Sequence, residues 1–169
     1  NSGTMVREIT KMEKMLISGV AADKNVAKIR VAGLGNDPES TFRLLNLLDR
    51  NNLNIDVMIQ SLGKDGTKSV SFTVAKPDML RTIDVLNDNK DSLGIKKLDY
   101  DENVAKISVI GAGVRSHSGV AAKMFGALAN AGINTEMITT SEIRITALID
   151  EAYADQAMRA IHETFLERV

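Results

Sequence analysis

The chain has no cysteine and no tryptophan among its 169 residues, and only 4% of them are aromatic. Without cysteine there are no disulfides and no thiolate metal sites, which fits a cytoplasmic protein. So few aromatic residues argue against an RNA-reading sheet, whose strands need a set of stacking side chains. Net charge is −1, so no broad basic field is available to hold nucleic acid or a membrane surface. No apolar run approaches the roughly 20 residues needed to span a bilayer, and no signal peptide is visible. Catalytic signatures are missing too. No Walker sequence occurs, and the turns "GLGND" and "GAGVRS" lack the full G-x-G-x-x-G pattern. Of the two histidines, His162 has no second ligand nearby on its terminal helix. His117 sits beside Arg115 and two serines, without a G-x-S-x-G elbow or an orienting acid. A structural or ligand-positioning role suits it better than a nucleophile's base, and neither histidine marks a metal site. The chain opens "NSGT" without an initiator Met and reads as a piece of a longer protein.

What the sequence does contain is a repeat. "VAKIRVAGLG" from Val26 returns 78 positions later as "VAKISVIGAG" from Val104. "NIDVMIQS" from Asn54 answers "NTEMITTS" from Asn134, now 80 positions apart. The two extra residues fall in the loop between, where "GLGND" is matched by "GAGVRSH". A period this long means two copies of one small fold, not a solenoid unit.

Alternation marks the strands. Ala27, Ile29 and Val31 share one face, and Lys28 and Arg30 the other; Val70, Phe72 and Val74 oppose Ser69, Ser71 and Thr73. The same pattern predicts strands near 55–61, 94–100, 104–111, 135–141 and 143–150. Helical spacing covers 38–52 (Phe42, Leu45, Leu48, with Pro38 in the first turn), 78–91, 118–131 and 153–166. From Val26 the order is therefore strand, helix, strand, strand, helix, strand. That is the ferredoxin-like βαββαβ unit, an α+β fold with both helices on one face of an antiparallel sheet. The second copy ends one strand short, while the strand-like segment 14–22 has no place in the first. The expected layout is an inserted one. Residues 24–101 form the first domain, 14–23 with 102–169 form the second, and 1–13 lead in. The alternative, two domains in simple succession with 14–22 as a linker, leaves the second copy incomplete.

The repeated strand, glycine turn and helix start is the one element suited to a ligand. Unpaired N–H groups at a helix start suit a small carboxylate such as that of an amino acid. On the following strand Asp56, Met58 and Gln60 fall on one face, so Asp56 could meet an ammonium group and Gln60 a polar tail. From spacing alone, plain fold geometry is the better account of such a turn.

Three ordered segments carry a family resemblance. "KISVIGAGVRSHSGVAAKMFGALANAGINTEMITTSEIRITALIDE" resembles the second ACT domain of aspartate kinases, with "ITTSEI" its most specific part. "LISGVAADKNVAKIRV" is similar to the passage from the kinase domain into the first ACT domain, and "GTMVREIT" looks like the last turn of the catalytic part. The resemblance implies two tandem ACT domains, with the N-terminal strand completing the second. It implies a regulatory role: binding lysine, threonine or both, and shutting down an ATP-dependent kinase acting on aspartate. Some bacteria make this part separately as a small regulatory subunit. ATP and Mg would belong only to the catalytic part, and this piece would need no cofactor. The implied partners are a second copy of the chain, paired through the ACT domains, and the catalytic domain or subunit; neither nucleic acid nor membrane is implied. Effectors in this family lie at seams, held by one domain's glycine turn and helix start and by the facing domain's second strand. Carried onto this chain, the first copy would supply Asn36, Asp37, Glu39, Thr41, Asp56 and Gln60. The second would supply Ser118, Gly119, Ala121, Asn134, Thr135, Ser141 and Glu142.

The chain departs from the family where many members have Pro-Gly and this one reads Pro38-Glu39; a usual Pro is also Ser118 here, with Gly119 retained. Glu39 adds bulk and charge at the turn and is placed to take the anion position of its own helix, which makes the first site the weaker one. Two rival functions remain open at this point: a structural dimerisation module with decayed sites, and a free-standing amino-acid sensor serving another protein.

Overall fold

The computed structural model describes residues 19–111 and 118–165. Its strands are β1 (Gly19–Leu34), β2 (Met58–Leu62), β3 (Lys68–Ala75), β4 (Lys97–Ile110), β5 (Met137–Thr140) and β6 (Arg144–Asp150). Its helices are α1 (Pro38–Arg50), α2 (Met79–Asp88), α3 (Ser118–Asn130) and α4 (Ala154–Phe165), and single 3-10 turns precede α2 and α4. The chain divides into two compact units: residues 25–103, and residues 104–165 together with 19–24. Strands β1 and β4 each run across that division, so each unit receives part of both.

In the unit of residues 25–103 the strand order is β2-β3-β1-β4. β3 pairs antiparallel with β1 (Ile29 opposite Phe72) and with β2 (Met58 opposite Phe72). One face of this sheet is apolar because the alternation puts Ala27, Ile29, Val31, Val70, Phe72 and Val74 there. Leu44, Leu47 and Leu48 of α1 and Met79 and Leu86 of α2 pack against it. Ile29, Phe72, Leu44 and Leu86 are fully buried. Each buried side chain of this size stabilises the fold by roughly 1.5–3 kcal/mol relative to exposure.

The other unit repeats the plan in the order β1-β4-β6-β5. β6 pairs antiparallel with β4 (Ile107 opposite Ala147) and with β5 (Met137 opposite Leu148). Its core joins Ile107, Val109, Ile145 and Ile149 to Met124 and Leu128 of α3 and Ile161 of α4, and Val20 of β1 packs on that core. The N-terminal strand thus completes the second ferredoxin-like unit. Within it, residues 14–18 lie outside the described residues.

Three local expectations are corrected. The strands expected near 94–100 and 104–111 are one strand, β4, and the N-terminal strand runs directly into the next as β1. No glycine or proline lies where the halves of either run join, and the polar residues there, such as Glu102 and Asn103, are simply exposed. The second helix ends at Asp88. Asn89 turns its side-chain amide onto the Val85 carbonyl at 2.8 Å, and Gly94 closes a further single turn at φ 72°. Finally, β2 starts at Met58 instead of near 55, because Asp56 and Val57 both lie opposite Thr73. The Asp56 N–H donates to the Thr73 carbonyl at 3.1 Å, and the Val57 N–H to the Thr73 hydroxyl at 3.1 Å. Two residues facing one is a β-bulge.

Candidate functional site

The turn after β1 is shaped by its own chain. Between Val31 (opposite Val70) and Leu34 (opposite Lys68) the ladder slips by one residue. Gly33 takes φ 85° there, and a Cβ added to it would lie 2.5 Å from Lys96 Cβ. That glycine is required by packing and left-handed backbone, so it says nothing about a ligand. Next, Asp37 caps α1 from an extended conformation. Its carboxylate accepts the Ser40 N–H at 2.8 Å and the Ser40 hydroxyl at 2.9 and 3.0 Å, with Pro38 opening the helix behind it. The bonds from the Ser40 hydroxyl and N–H hold the Asp37 carboxyl below the ordinary value of 3.8. The carboxylate at the start of α1 is therefore that of Asp37. Glu39, expected in that role, is exposed in the first turn. The cap residue wins because its short side chain, leaving the chain just before the helix, reaches the free Ser40 N–H directly.

Two further bonds tie this turn to the neighbouring strands. Lys68 Nζ donates to the Asp37 carbonyl at 3.1 Å, and the Thr41 hydroxyl donates to Gln60 Oε1 at 2.7 Å. The structure thus brings Asp37, Thr41 and Gln60 together, with Ser40 and Lys68 added. Asn36 stays exposed beside them. Asp56 does not join. The bulge interrupts the alternation linking it to Met58 and Gln60, and it stands four residues, about 13 Å of extended chain, from Gln60. Ser40 was visible as the third residue after an N-cap aspartate. Lys68 had no such signal, since only the pairing of Leu34 with Lys68 places it there.

In the other unit the candidates separate into two groups. At one end, the Gly111 N–H donates to the Ile143 carbonyl at 2.8 Å and the Ser141 N–H to the Arg144 carbonyl at 2.7 Å. These bonds set Ser141 and the exposed Glu142 in a tight β5–β6 turn level with the end of β4. Residues 112–117, including Arg115 and His117, lie outside the described residues. Ser118 opens α3, and Gly119 follows in open space, with nothing within 4 Å of where its Cβ would be. Unlike Gly33, it is not explained by packing among the described residues. Ala121 packs against the core, which accounts for it structurally.

At the other end of α3, about 20 Å away for a helix of 13 residues, lie Asn134 and Thr135. They line an open groove of about 390 Å3 with Phe125, Leu128, Ala129, Gly132 and Ile133. Apolar walls with an amide and a hydroxyl at the rim suit a small amphipathic molecule. In the first copy the repeat puts Asp49 where Ala129 stands and Asn52 where Gly132 stands. Arg81 also donates to the Asn51 and Asn52 carbonyls there, at 3.0 and 3.1 Å.

His162 is partly buried in the last turn of α4. Among the described residues no three His, Cys, Asp or Glu side chains stand close enough to hold a metal. No helix among them is long and apolar enough to cross a membrane.

Comparison with known proteins agrees with this architecture. A sequence profile described as "ACT domain" matches residues 107–165. An aspartokinase of Pseudomonas aeruginosa is 37% identical over 166 residues, covering 96% of this chain and 40% of its own length. One from Helicobacter pylori is 40% identical over 156 residues, covering 92% and 38%. The chain thus spans about two fifths of these curated relatives. Among solved structures, the ligand-free regulatory subunit of aspartate kinase from Thermus thermophilus superposes with a TM-score of 0.84 at 33% identity. That match covers 89% of this chain and 99% of the subunit. A chain from the crystal structure of aspartokinase alpha and beta subunits gives 0.82 at 42% identity, covering 88% and 98%.

Proposed function

The chain belongs to the aspartate kinase family, as a regulatory part built of ACT-type units, and from that premise we propose that it senses end-product amino acids. Lysine, threonine or both bind to it and slow a catalytic part that phosphorylates the aspartate side-chain carboxylate with ATP. The observation that carries this reading is the match to a regulatory subunit of aspartate kinase over 99% of that subunit's length. The groove beside Asn134 and Thr135 supports it chemically. Its apolar walls suit the aliphatic part of an amino acid, and the amide and hydroxyl suit its polar groups.

The second unit holds the stronger site in this reading, because the first meets its own needs. Asp37 takes one of the N–H groups that an effector carboxylate would use at α1, and Thr41 already occupies one acceptor position of Gln60 Oε1. Among the described residues, nothing lies within 4 Å of where a Cβ on Gly119 would be. The working assembly is a homodimer in which an effector touches both chains. By linkage, ligand then tightens self-association and dimerisation raises ligand affinity by the same factor. Calorimetry with L-lysine and L-threonine, paired with light scattering, tests this. Saturable heat accompanied by a shift toward dimer is expected. A folded chain that gives no heat with either, and no shift, would instead leave a structural dimerisation module. The self-satisfied turn of the first unit is the observation that favours that alternative.

A further inference from the structure

The sequence contains one Asp-Gly pair, Asp65-Gly66, and no Asn-Gly pair. It lies in the turn between β2 and β3, where residues 63–66 are exposed. An Asp-Gly bond is chemically labile because glycine offers its backbone nitrogen without a side chain in the way. The Gly66 nitrogen attacks Asp65 Cγ and a new N–Cγ bond forms. The Cγ–OH bond breaks, and the hydroxyl leaves as water with the amide proton. Water then opens the succinimide ring. Cleavage at the Cγ carbonyl restores aspartate, whereas cleavage at the main-chain carbonyl reroutes the backbone through Cγ as isoaspartate. Gly66 takes φ 81°, and a Cβ there would meet nothing within 4 Å, so bulk offers no protection.

What protects the bond is hydrogen bonding. Asp65 Oδ1 accepts the Thr67 N–H at 3.0 Å and the Thr67 hydroxyl at 2.7 Å, an Asx-type arrangement that turns the carboxyl toward Thr67. The Gly66 N–H is occupied as well, donating to the Gly63 carbonyl at 3.1 Å, while the Gly63 N–H donates to the Thr67 carbonyl at 2.8 Å. We propose that Asp65-Gly66 is a latent backbone-isomerisation site that Thr67 holds shut in the folded protein. The bonds from Thr67 also keep the Asp65 carboxyl below its ordinary value, which depletes the protonated form from which water leaves. Isomerisation would insert one methylene into the backbone beside the Leu62–Lys68 pair, the last rung of the β2–β3 ladder.

The test is ageing at neutral pH and physiological temperature, read by isoaspartyl methyltransferase labelling and by mapping of the peptide that contains residue 65. Folded wild type should gain isoaspartate at Asp65 at least several-fold more slowly than the same chain in urea. Thr67→Val, checked to be folded by its melting curve, should speed the folded-state reaction several-fold, and Thr67→Ser should restore the slow rate. Asp65→Glu should abolish the signal. Equal rates in folded and unfolded wild type, no acceleration in folded Thr67→Val, or a signal mapping to another aspartate would each overturn the proposal. If Thr67→Val fails to fold, the folded-against-urea comparison on wild type still decides it.

Discussion

Replacing Asn52 by glycine should stabilise the protein, and the repeat says by how much to expect it. Asn52 ends α1 at φ 55°, and Gly132 holds the matching place after α3 at φ 72°. The surrounding bonds are the same: the Leu53 N–H donates to the Leu48 carbonyl at 2.9 Å, and the Ile133 N–H to the Leu128 carbonyl at 2.9 Å. This is the helix stop in which one residue goes left-handed, a conformation that costs an L-residue about 1–2 kcal/mol and asparagine somewhat less. Glycine removes that cost but gives part of it back in unfolded-state entropy. A net gain of roughly 0.5–1 kcal/mol follows, or about 1–4 °C in melting temperature for a chain of this size. Asn52→Ala should lose about 1 kcal/mol. The bonds from Arg81 go to the carbonyls of Asn51 and Asn52, so neither substitution removes them. Urea unfolding of the three proteins provides the comparison. A destabilised Asn52→Gly, or an Asn52→Ala equal to wild type, would refute the reasoning.

Other outcomes follow from the same geometry. Asp37 titrates lower folded than unfolded, so its contribution is full above about pH 3.8 and fades as pH falls through the lower folded value. Asp37→Asn keeps a capping oxygen without that titration, and its urea midpoint should converge on wild type in acid; a constant gap down to pH 2 would contradict this. Gly33→Ala should be strongly destabilising because of the Lys96 overlap at φ 85°. Gly119→Ala, on an open helix, should be neutral or gain up to about 1 kcal/mol in stability while weakening effector binding. Equal melting temperatures for the two alanine variants would count against that reading. Thr73→Val strands the buried Val57 N–H and should cost about 1–3 kcal/mol by chemical denaturation; a loss below about 0.5 would show that the N–H finds another acceptor.

The two-copy plan was legible because alternation and helical spacing repeat at nearly constant offset, and the missing strand of the second copy pointed to the N-terminal segment. The candidate site was only partly legible. Thr41 meeting Gln60 follows from helix start and strand end lying at the same end of a βαβ unit. Lys68 reaching Asp37 depends on cross-strand register, and the displacement of Asp56 depends on a bulge set by one threonine hydroxyl. Neither leaves a spacing in the sequence. Both Asp37 and Glu39 are expected at this turn and Glu39 is the departure from the family pattern, yet the cap position decides which carboxylate reaches the free N–H groups. The splitting of Gly119 from Asn134, by contrast, is legible, because the spacing already predicts a helix over 118–131 between them.

The most direct test of the regulatory reading is titration calorimetry of the folded chain with L-lysine and L-threonine, repeated on Asn134→Ala and Gly119→Ala. The account predicts saturable binding of at least one of the two amino acids, weakened about tenfold or more by at least one of the two substitutions while melting temperatures stay close to wild type or, for Gly119→Ala, rise slightly. That loss would equal about 1.4 kcal/mol per tenfold. Absence of heat with both amino acids, or binding indifferent to both substitutions, would contradict it.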